Sequence, residues 1–288
     1  MEIILQAGLK HENVVDLKDI VFEKPAGRPK KQLCMITELL SGGELFSVVV
    51  DNGGMPEDQA RLYFRQILQG VAYCHARKLV HRDIKLENLL LTGDRQFVKI
   101  ADFGLAKNVS EDSAKTVIGT VKYVAPEMLA GGEYDGFKTD IWSCGVCLYC
   151  MTECRFPFTK VGNDGVGGHH QTTAGNLRLM RDLQDAKYVL KPERSPEYVA
   201  FLKRLLCPDV ATRYTAAEAL TDPWILGEDW TPEMVQATVA AMDSSSVVVP
   251  TGYAQSEWVE QVKQVMTAKG DGEDEPETWM DEDENDAF

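Results

Sequence analysis

Two short polar stretches of the chain contain the residue types that phosphoryl transfer requires. The first occupies residues 81–88 and reads HRDIKLEN, and the second is the DFG at residues 102–104. In phosphoryl transfer a carboxylate accepts the proton of the incoming hydroxyl, a cation offsets developing negative charge, and oxygen ligands hold Mg²⁺ against the phosphates. The residues that fit these tasks are Asp83 as the base, Lys85 as the cation, and Asn88 and Asp102 as the metal ligands.

A plainer interpretation of these stretches is available, because aspartate, asparagine and lysine in a loop are often solvated turn residues. A third motif argues against it, since APE at residues 125–127 follows the other two in order. Each of the three motifs has a separate task in phosphoryl transfer, so their joint occurrence is specific. We therefore interpret the stretches as catalytic.

Periodic apolar patterns predict the elements that position these loops. A long helix is predicted to begin at Pro56, with Glu57 and Asp58 in its first turn. The apolar residues that share one face of this helix are Ala60, Phe64, Ile67, Leu68, Val71 and Cys74. Strands are predicted over residues 16–23, 33–37 and 97–100, and further helices over residues 2–10, 176–188, 196–206, 233–242 and 255–268.

Composition places limits on the class of protein. The chain has 288 residues with a net charge of −15, and residues 271–288 hold ten acidic residues and no basic ones. This balance argues against a nucleic-acid partner, and the acidic end is typical of a solvated tail for docking or autoregulation. We expect no membrane partner, because no apolar run approaches the length of a membrane-spanning helix. With no secretory signal visible, the expected location is the cytoplasm and also the nucleus.

Four of the seven cysteines follow the spacing of a ferredoxin cluster, C-x₂-C-x₂-C-x₃-C, at positions 144, 147, 150 and 154. The residues between them are apolar, which favours a buried helix over an irregular cluster loop. On such a helix the first and last thiols would lie roughly 15 Å apart along the axis, too far apart for one cluster. We therefore expect ordinary buried thiols, with an iron–sulfur protein as the alternative.

Together these motifs resemble those of serine/threonine protein kinases, and the resemblance runs from about residue 2 to residue 226. Lys85, two positions after Asp83, is the serine/threonine form of the loop. The stretches VAYCHA at residues 71–76 and EYDG at residues 133–136 resemble the AMP-activated and sucrose-nonfermenting-related branch of the calcium/calmodulin-kinase group. Within that branch, the likeness is to plant kinases activated by osmotic stress and abscisic acid.

The resemblance implies an α+β, two-lobe kinase fold with a mostly helical larger lobe. Residues 1–40 would form part of the smaller lobe and the hinge, residues 41–226 the larger lobe, and residues 227–288 a C-terminal extension ending in a disordered acidic tail. The glycine-rich loop and ATP-anchoring lysine of kinases have no counterpart in the printed sequence. We expect that the sequence lacks its true N-terminus. The alternative is a catalytically silent binding or scaffold module.

The same resemblance assigns further residues to ATP and to structural roles. The implied cofactors are ATP and Mg²⁺. The residues implied to bind ATP are Glu38 and Leu40 through their backbone, Glu44 at the ribose, Leu90 beneath the adenine, and Asp102. The residues implied to have structural roles are Glu2 as partner of the ATP-anchoring lysine, Arg82 as partner of an activating phosphate, Glu127 paired with Arg213, and Asp140 as support for the backbone of residues 81–88.

Regulation and substrates are also implied by the resemblance. Thr116 occupies the place of an activating phosphate in the activation segment, residues 105–124, where an upstream kinase or a phosphatase would act. The expected partners are proteins phosphorylated at serine or threonine near a basic residue. Glu44 and Glu87 are the carboxylates expected to attract that residue.

Overall fold

The structure is a computed structural model of the chain. The structure describes residues 6, 8–23, 32–108, 121–131, 133–158, 182–228, 230–231 and 233–235. Glu2, Thr116, the acidic end of the chain and the predicted helix over residues 255–268 lie outside these residues.

The first part of the described chain forms an antiparallel pair of strands. These are β1 (Leu17–Glu23) and β2 (Gln32–Thr37), with Leu17 opposite Thr37 and Glu23 opposite Gln32. The register shifts between Leu17 and Asp19. The strands predicted over residues 16–23 and 33–37 are therefore confirmed.

Two small antiparallel sheets flank the motif-bearing loops. A three-stranded sheet has the order β3 (Gly43–Glu44), β5 (Leu89–Leu91) and β6 (Val98–Ile100), and a two-stranded sheet pairs β4 (Leu79–Val80) with β7 (Lys107–Asn108). Residues 81–88 lie between β4 and β5, and the DFG at residues 102–104 lies between β6 and β7. Each motif therefore lies in a short segment between two strands.

The rest of the described chain is mainly helical. Its α-helices with both ends described are α1 (Leu45–Asp51), α2 (Glu57–Ala76), α3 (Pro126–Leu129), α4 (Gly136–Glu153), α5 (Pro196–Leu205), α6 (Ala216–Leu220) and α7 (Pro223–Leu226). The predicted helix over residues 196–206 corresponds to α5. The α+β fold class predicted from the sequence is confirmed. The lobe boundaries at residues 40 and 226 stay predictions.

Helix α2 forms much of the core of the helical part. Pro56 is its N-cap, and Glu57 and Asp58 lie in its first turn, where carboxylates favour the positive end of the helix dipole. The apolar face predicted for it is buried at Ala60, Phe64, Ile67, Leu68, Val71 and Cys74. The helix contacts α4, α6 and β6. It therefore links the helical core to the strand that leads to Asp102.

Helix α4 carries the closely spaced cysteines. The carboxylate of Asp135 caps its N-terminus by accepting from the N–H of Phe137 at 2.9 Å. Cys144, Cys147 and Cys150 are fully buried along the helix, and Cys154 is its C-cap in the left-handed conformation. Within the described ranges, no group of three or more His, Cys, Asp or Glu side chains could hold a metal ion. The helical, buried placement predicted for the thiols is confirmed for Cys144, Cys147 and Cys150, whereas Cys154 ends the helix and is partly exposed.

Two predicted helix boundaries are wrong. The helix predicted over residues 176–188 ends at residue 184, because Ala186 has a φ of 45° and the chain turns there. Lys187 N–H donates to the Asp182 carbonyl and Ala186 N–H to the Leu183 carbonyl, which is a Schellman ending. The helix predicted over residues 2–10 does not reach residue 10, because a turn at Gly8 precedes two non-helical residues.

Only the start of the helix predicted over residues 233–242 is described, and residues 233–235 are helical. Among the helices in the described ranges, none combines the length and the apolar character needed to cross a membrane.

Candidate active site

Asp140 of helix α4 supports the loop that carries Asp83. Its Oδ2 accepts from the N–H of His81 at 2.9 Å, and its Oδ1 accepts from the N–H of Arg82, also at 2.9 Å. Arg82 has a φ of 67°, a left-handed conformation that is unfavourable for a non-glycine residue. Two charge-assisted hydrogen bonds to a carboxylate that is 2% exposed therefore hold a strained backbone in place.

The structure brings Asp83, Lys85 and Asn88 together around one carboxylate oxygen. Oδ2 of Asp83 accepts from Nδ2 of Asn88 at 3.0 Å and lies 3.2 Å from Nζ of Lys85. The same Asn88 nitrogen donates to the Asp83 carbonyl at 2.9 Å. Because the amide nitrogen of Asn88 is engaged twice, its oxygen is the atom left to face a metal or a ligand.

The charge of Lys85 is stabilised by its surroundings. Burial favours the neutral amine, but the carboxylates of Asp83, Glu87 and Asp102 outweigh this effect and raise the pKa of Lys85. Asp102 thus acts electrostatically on the same lysine that contacts Asp83. The lysine stays a cation at any physiological pH.

His81 connects this loop to the DFG segment. Its Nε2 lies 3.0 Å from the Ala101 carbonyl, and its Nδ1 lies 3.3 Å from the N–H of Asp83. Its ring meets the Phe103 ring edge-on, with the centroids 4.8 Å apart. Burial lowers the pKa of His81 despite the nearby carboxylates, so the ring is neutral. The two contacts then assign the proton to Nε2 and the acceptor role to Nδ1.

Asp102, two residues after the end of strand β6, has a strained backbone conformation. Its φ is 59°, and its Oδ1 accepts from the N–H of Gly104 at 3.1 Å. The preceding N–H, of Ala101, donates to the Asn88 carbonyl at 2.9 Å. The residue before Asp102 is therefore hydrogen-bonded to Asn88, which joins the two segments that carry the predicted metal ligands. The Asp102 side chain is exposed.

A cavity of about 400 Å³ lies beside Asp102. Its other walls come from strand β2, from the hinge segment (residues 38–42, between β2 and β3) and from β5. Four of the five residues predicted to bind ATP line the cavity, namely Glu38, Leu40, Leu90 and Asp102. The volume is within the usual range for small-molecule sites.

Glu44, the fifth residue predicted to bind ATP, does not line this cavity. It lies directly opposite Leu90 in the pairing of β3 with β5 and is exposed. It therefore stands next to the cavity rather than within it.

The cavity also has lining residues that were not assigned to ATP from the sequence. Val15, Met35, Leu39 and Ala101 belong to this group, as does Gln6, which is 3% exposed. Val15 and Ala101 could have been found, since each adjoins a strand end or a motif that was recognised. Met35 lies two residues before Thr37, which also lines the cavity, and strand alternation puts both side chains on one face of β2.

The end of the activation segment packs against the loop that carries Asp83. The hydroxyl of Tyr123 donates to Oε2 of Glu87 at 3.1 Å, and the Leu86 N–H lies 3.4 Å from that hydroxyl oxygen. Ser143 of helix α4 donates to the Tyr123 carbonyl at 3.1 Å. Glu87, which is half-buried, is thereby held by the end of the activation segment.

The residues predicted to have structural roles also have defined positions. Glu127 and Arg213 form an ion pair, with Nη1 2.6 Å from Oε1. The Nε of Arg82 donates to the Leu105 carbonyl, which links it to the start of the activation segment.

Comparison with known proteins identifies the family of the chain. Residues 1–225 match the model of the protein kinase domain, so the chain belongs to the protein kinase family. The relatives it resembles are serine/threonine kinases of plants, and the branch predicted from residues 71–76 and 133–136 is confirmed.

Two of these relatives come from Arabidopsis thaliana. The chain is 36% identical over 227 residues to serine/threonine-protein kinase SRK2D and 37% identical over 227 residues to SRK2I. In both cases the match covers 78% of this chain and 59% of the relative. A third relative, CBL-interacting protein kinase 29 of Oryza sativa subsp. japonica, is 39% identical over 216 residues, which is 75% of this chain and 44% of the relative. The chain thus spans less than two thirds of the length of these relatives.

Proposed function

We propose that the protein transfers the γ-phosphate of ATP to serine or threonine hydroxyls of other proteins. The observation that carries this proposal is the contact of one Asp83 oxygen with both Lys85 and Asn88, beside a cavity that ends at Asp102. Phosphoryl transfer depends mainly on positioning and on charge stabilisation, and these contacts serve both.

In this proposal Asp83 accepts the proton of the attacking hydroxyl. Its Oδ2 is already engaged by Lys85 and Asn88, so the carboxylate is held in one orientation. Lys85 is next to this carboxylate and keeps its charge, so it can offset negative charge on the transferred group. His81 holds the backbone of Asp83, and its Nδ1 lone pair is occupied by the Asp83 N–H.

The donor set fits a magnesium ion. Asn88 and Asp102 offer an amide oxygen and an exposed carboxylate, which are the hard oxygen ligands that Mg²⁺ prefers, and two protein ligands suffice when phosphates supply the rest. When bound, the ion would neutralise charge on the phosphates. The backbone hydrogen bond between Ala101 and Asn88 keeps the two ligands in register.

The cavity fits the base of the nucleotide. The backbone of the hinge segment at Glu38 and Leu40 can supply the acceptor and the donor that an adenine edge requires, and Leu90 forms an apolar wall. In this proposal Glu44, opposite Leu90 in the sheet and outside the cavity, meets the ribose.

We extend the proposal to substrates that carry a basic residue near the phosphorylated hydroxyl. Glu87 is four residues from Asp83, and its carboxylate is oriented by Tyr123. A fixed carboxylate favours bidentate pairing with arginine. Regulation by an upstream kinase or a phosphatase at Thr116 completes the proposal.

The test is transfer of labelled phosphate from ATP to a serine peptide containing arginine. The wild-type chain is compared with Asp83→Asn, and Asp94→Asn, an exposed aspartate in a turn, is the matched control. We expect Asp83→Asn to lose about a hundredfold or more in rate, whereas Asp94→Asn keeps the wild-type rate. Equal rates for the wild type and Asp83→Asn would reject the proposal and favour a silent binding module.

A further inference from the structure

The carboxylate of Glu38, in the hinge segment, is fixed from two directions. Its Oε1 lies 2.7 Å from Nζ of Lys99 and accepts a hydrogen bond from the N–H of Asp16 at 2.8 Å. The N–H of Glu38 in turn donates to the Asp16 carbonyl at 3.0 Å. The Lys99 and Glu38 side chains are only 15% and 21% exposed, so salt screens this ion pair weakly.

Lys99 lies on the strand that leads to Asp102. In β6 it is directly opposite Leu90 of β5, which lines the cavity. The same strand is held from its other side, where the N–H of Val15 donates to the Ile100 carbonyl at 2.9 Å. The ion pair of Lys99 with Glu38 therefore ties the hinge segment, one wall of the cavity, to the strand that pairs with β5 and leads to Asp102.

At its far end the hinge segment is held by Gly42, whose N–H donates to the Leu91 carbonyl at 3.0 Å, so what fixes the end near the base is the contact made by Glu38. Leu39, between Glu38 and Leu40, is 89% exposed, so burial of its side chain contributes little. The orientation of the Glu38 carbonyl and of the Leu40 backbone therefore depends on how Glu38 itself is held.

We infer that Lys99 is a positioning residue of the nucleotide site, which holds the Glu38 carboxylate and thereby the hinge backbone that receives the base. This inference rests on the proposed function. It assigns Lys99 to the base end of the cavity, although Lys99 is close in sequence to the metal ligand Asp102.

The experiment measures the affinities of the full chain for metal-free ADP and for Mg·ATP by titration calorimetry. Lys99→Met is expected to weaken both affinities by the same factor, roughly tenfold, because a charge-assisted bond is lost. Lys99→Arg keeps the ion pair and is expected to retain both affinities. The matched control is Lys10→Met, which removes a lysine that pairs with Asp16 at the same junction but does not contact Glu38. It is expected to change neither affinity.

A second comparison tests whether Lys99 acts through Glu38. In a Glu38→Ala background, adding Lys99→Met is expected to have no further effect on ADP affinity. An undiminished effect would overturn the inference. If Lys99→Met does not fold, Lys99→Gln, which keeps an N–H donor without the charge, replaces it in both comparisons.

The outcomes separate the inference from the proposed function. A loss confined to Mg·ATP would place the action of Lys99 at Asp102 and overturn the inference alone. A lower unfolding temperature with unchanged affinities, or a gain in affinity, would do the same. A wild-type chain that binds neither nucleotide would overturn both the inference and the proposed function.

Discussion

Glu127 and Arg213, 86 residues apart in the chain, form a two-point ion pair with distances of 2.6 Å and 2.9 Å. The arginine is almost fully buried, and its Nε donates to the Cys207 carbonyl at 2.8 Å. Its guanidinium carbon also lies 5.0 Å from the centre of the Trp142 ring. The pair therefore ties the end of the activation segment, through helix α3, to the C-terminal part of the helical core.

Arg213→Ala is expected to lower the free energy of unfolding by about 3–5 kcal/mol, because it leaves the Glu127 carboxylate without its buried partner. Urea unfolding measures this loss. Arg204→Ala removes an exposed arginine from helix α5 and is the matched control, with an expected loss below about 1 kcal/mol. Similar losses in the two variants would contradict a special role for the pair.

His11 should make the stability of the protein dependent on pH. Burial, Arg77 and Lys99 lower the pKa of His11 from 6.5 to about 4. The unfolded chain therefore binds a proton at higher pH than the folded protein does, so stability is present above about pH 6.5 and is lost as pH falls towards 4. The expected loss is about 3 kcal/mol. Measurements of unfolding at several pH values should show a shallower slope for His11→Phe, which can still stack on Tyr73. Parallel curves for the two proteins would refute this assignment.

Gln6→Leu is expected to raise the stability of the protein. The Gln6 side chain is 3% exposed, and the hydrogen bond from its Nε2 to the Val15 carbonyl is long, at 3.5 Å. A buried amide that is poorly satisfied costs about 1–3 kcal/mol, and leucine removes this cost at similar volume. Thermal unfolding gives the change, with Gln184→Leu on an exposed position as control. A lower unfolding temperature for Gln6→Leu would mean that the amide is well satisfied.

Gly42→Ala is expected to destabilise the hinge segment. A Cβ atom at Gly42 would lie 2.1 Å from the Thr92 carbonyl oxygen and 2.7 Å from that of Leu91, so the backbone would have to move. We expect a loss of about 1–3 kcal/mol in stability, together with weaker ADP binding. Gly43→Ala is the comparison, because a Cβ there meets nothing within 4 Å, although its φ of 81° adds strain. Unchanged ADP affinity in Gly42→Ala would separate this glycine from the nucleotide site.

The motifs with fixed spacing predicted much of the site. Asp83, Lys85 and Asn88 are close in the sequence, so a single turn of chain brings them together, and the pairing of Glu127 with Arg213 followed from resemblance alone. The contact between Lys99 and Glu38 could not be predicted, because it depends on the pairing of β5 with β6 and on the path of the hinge segment.

The helix boundaries also could not be predicted fully from the sequence. The apolar pattern of residues 176–188 continues past the end of the helix, because Tyr188 and Leu190 still pack against the core from a non-helical segment. Periodicity reports burial, and burial does not require a helix. The left-handed conformation of Ala186 has no clear signal in the sequence, since alanine usually favours helices.

The buried thiols of helix α4 can report unfolding of the helical core. Burial raises the pKa values of Cys144, Cys147 and Cys150, so in the native state they are both inaccessible and un-ionised. An alkylating reagent should therefore modify Cys34, Cys154 and Cys207, which are partly exposed, well before these three. Mass spectrometry of the peptide containing residues 144–150 would then time the opening of the helical core without any added label.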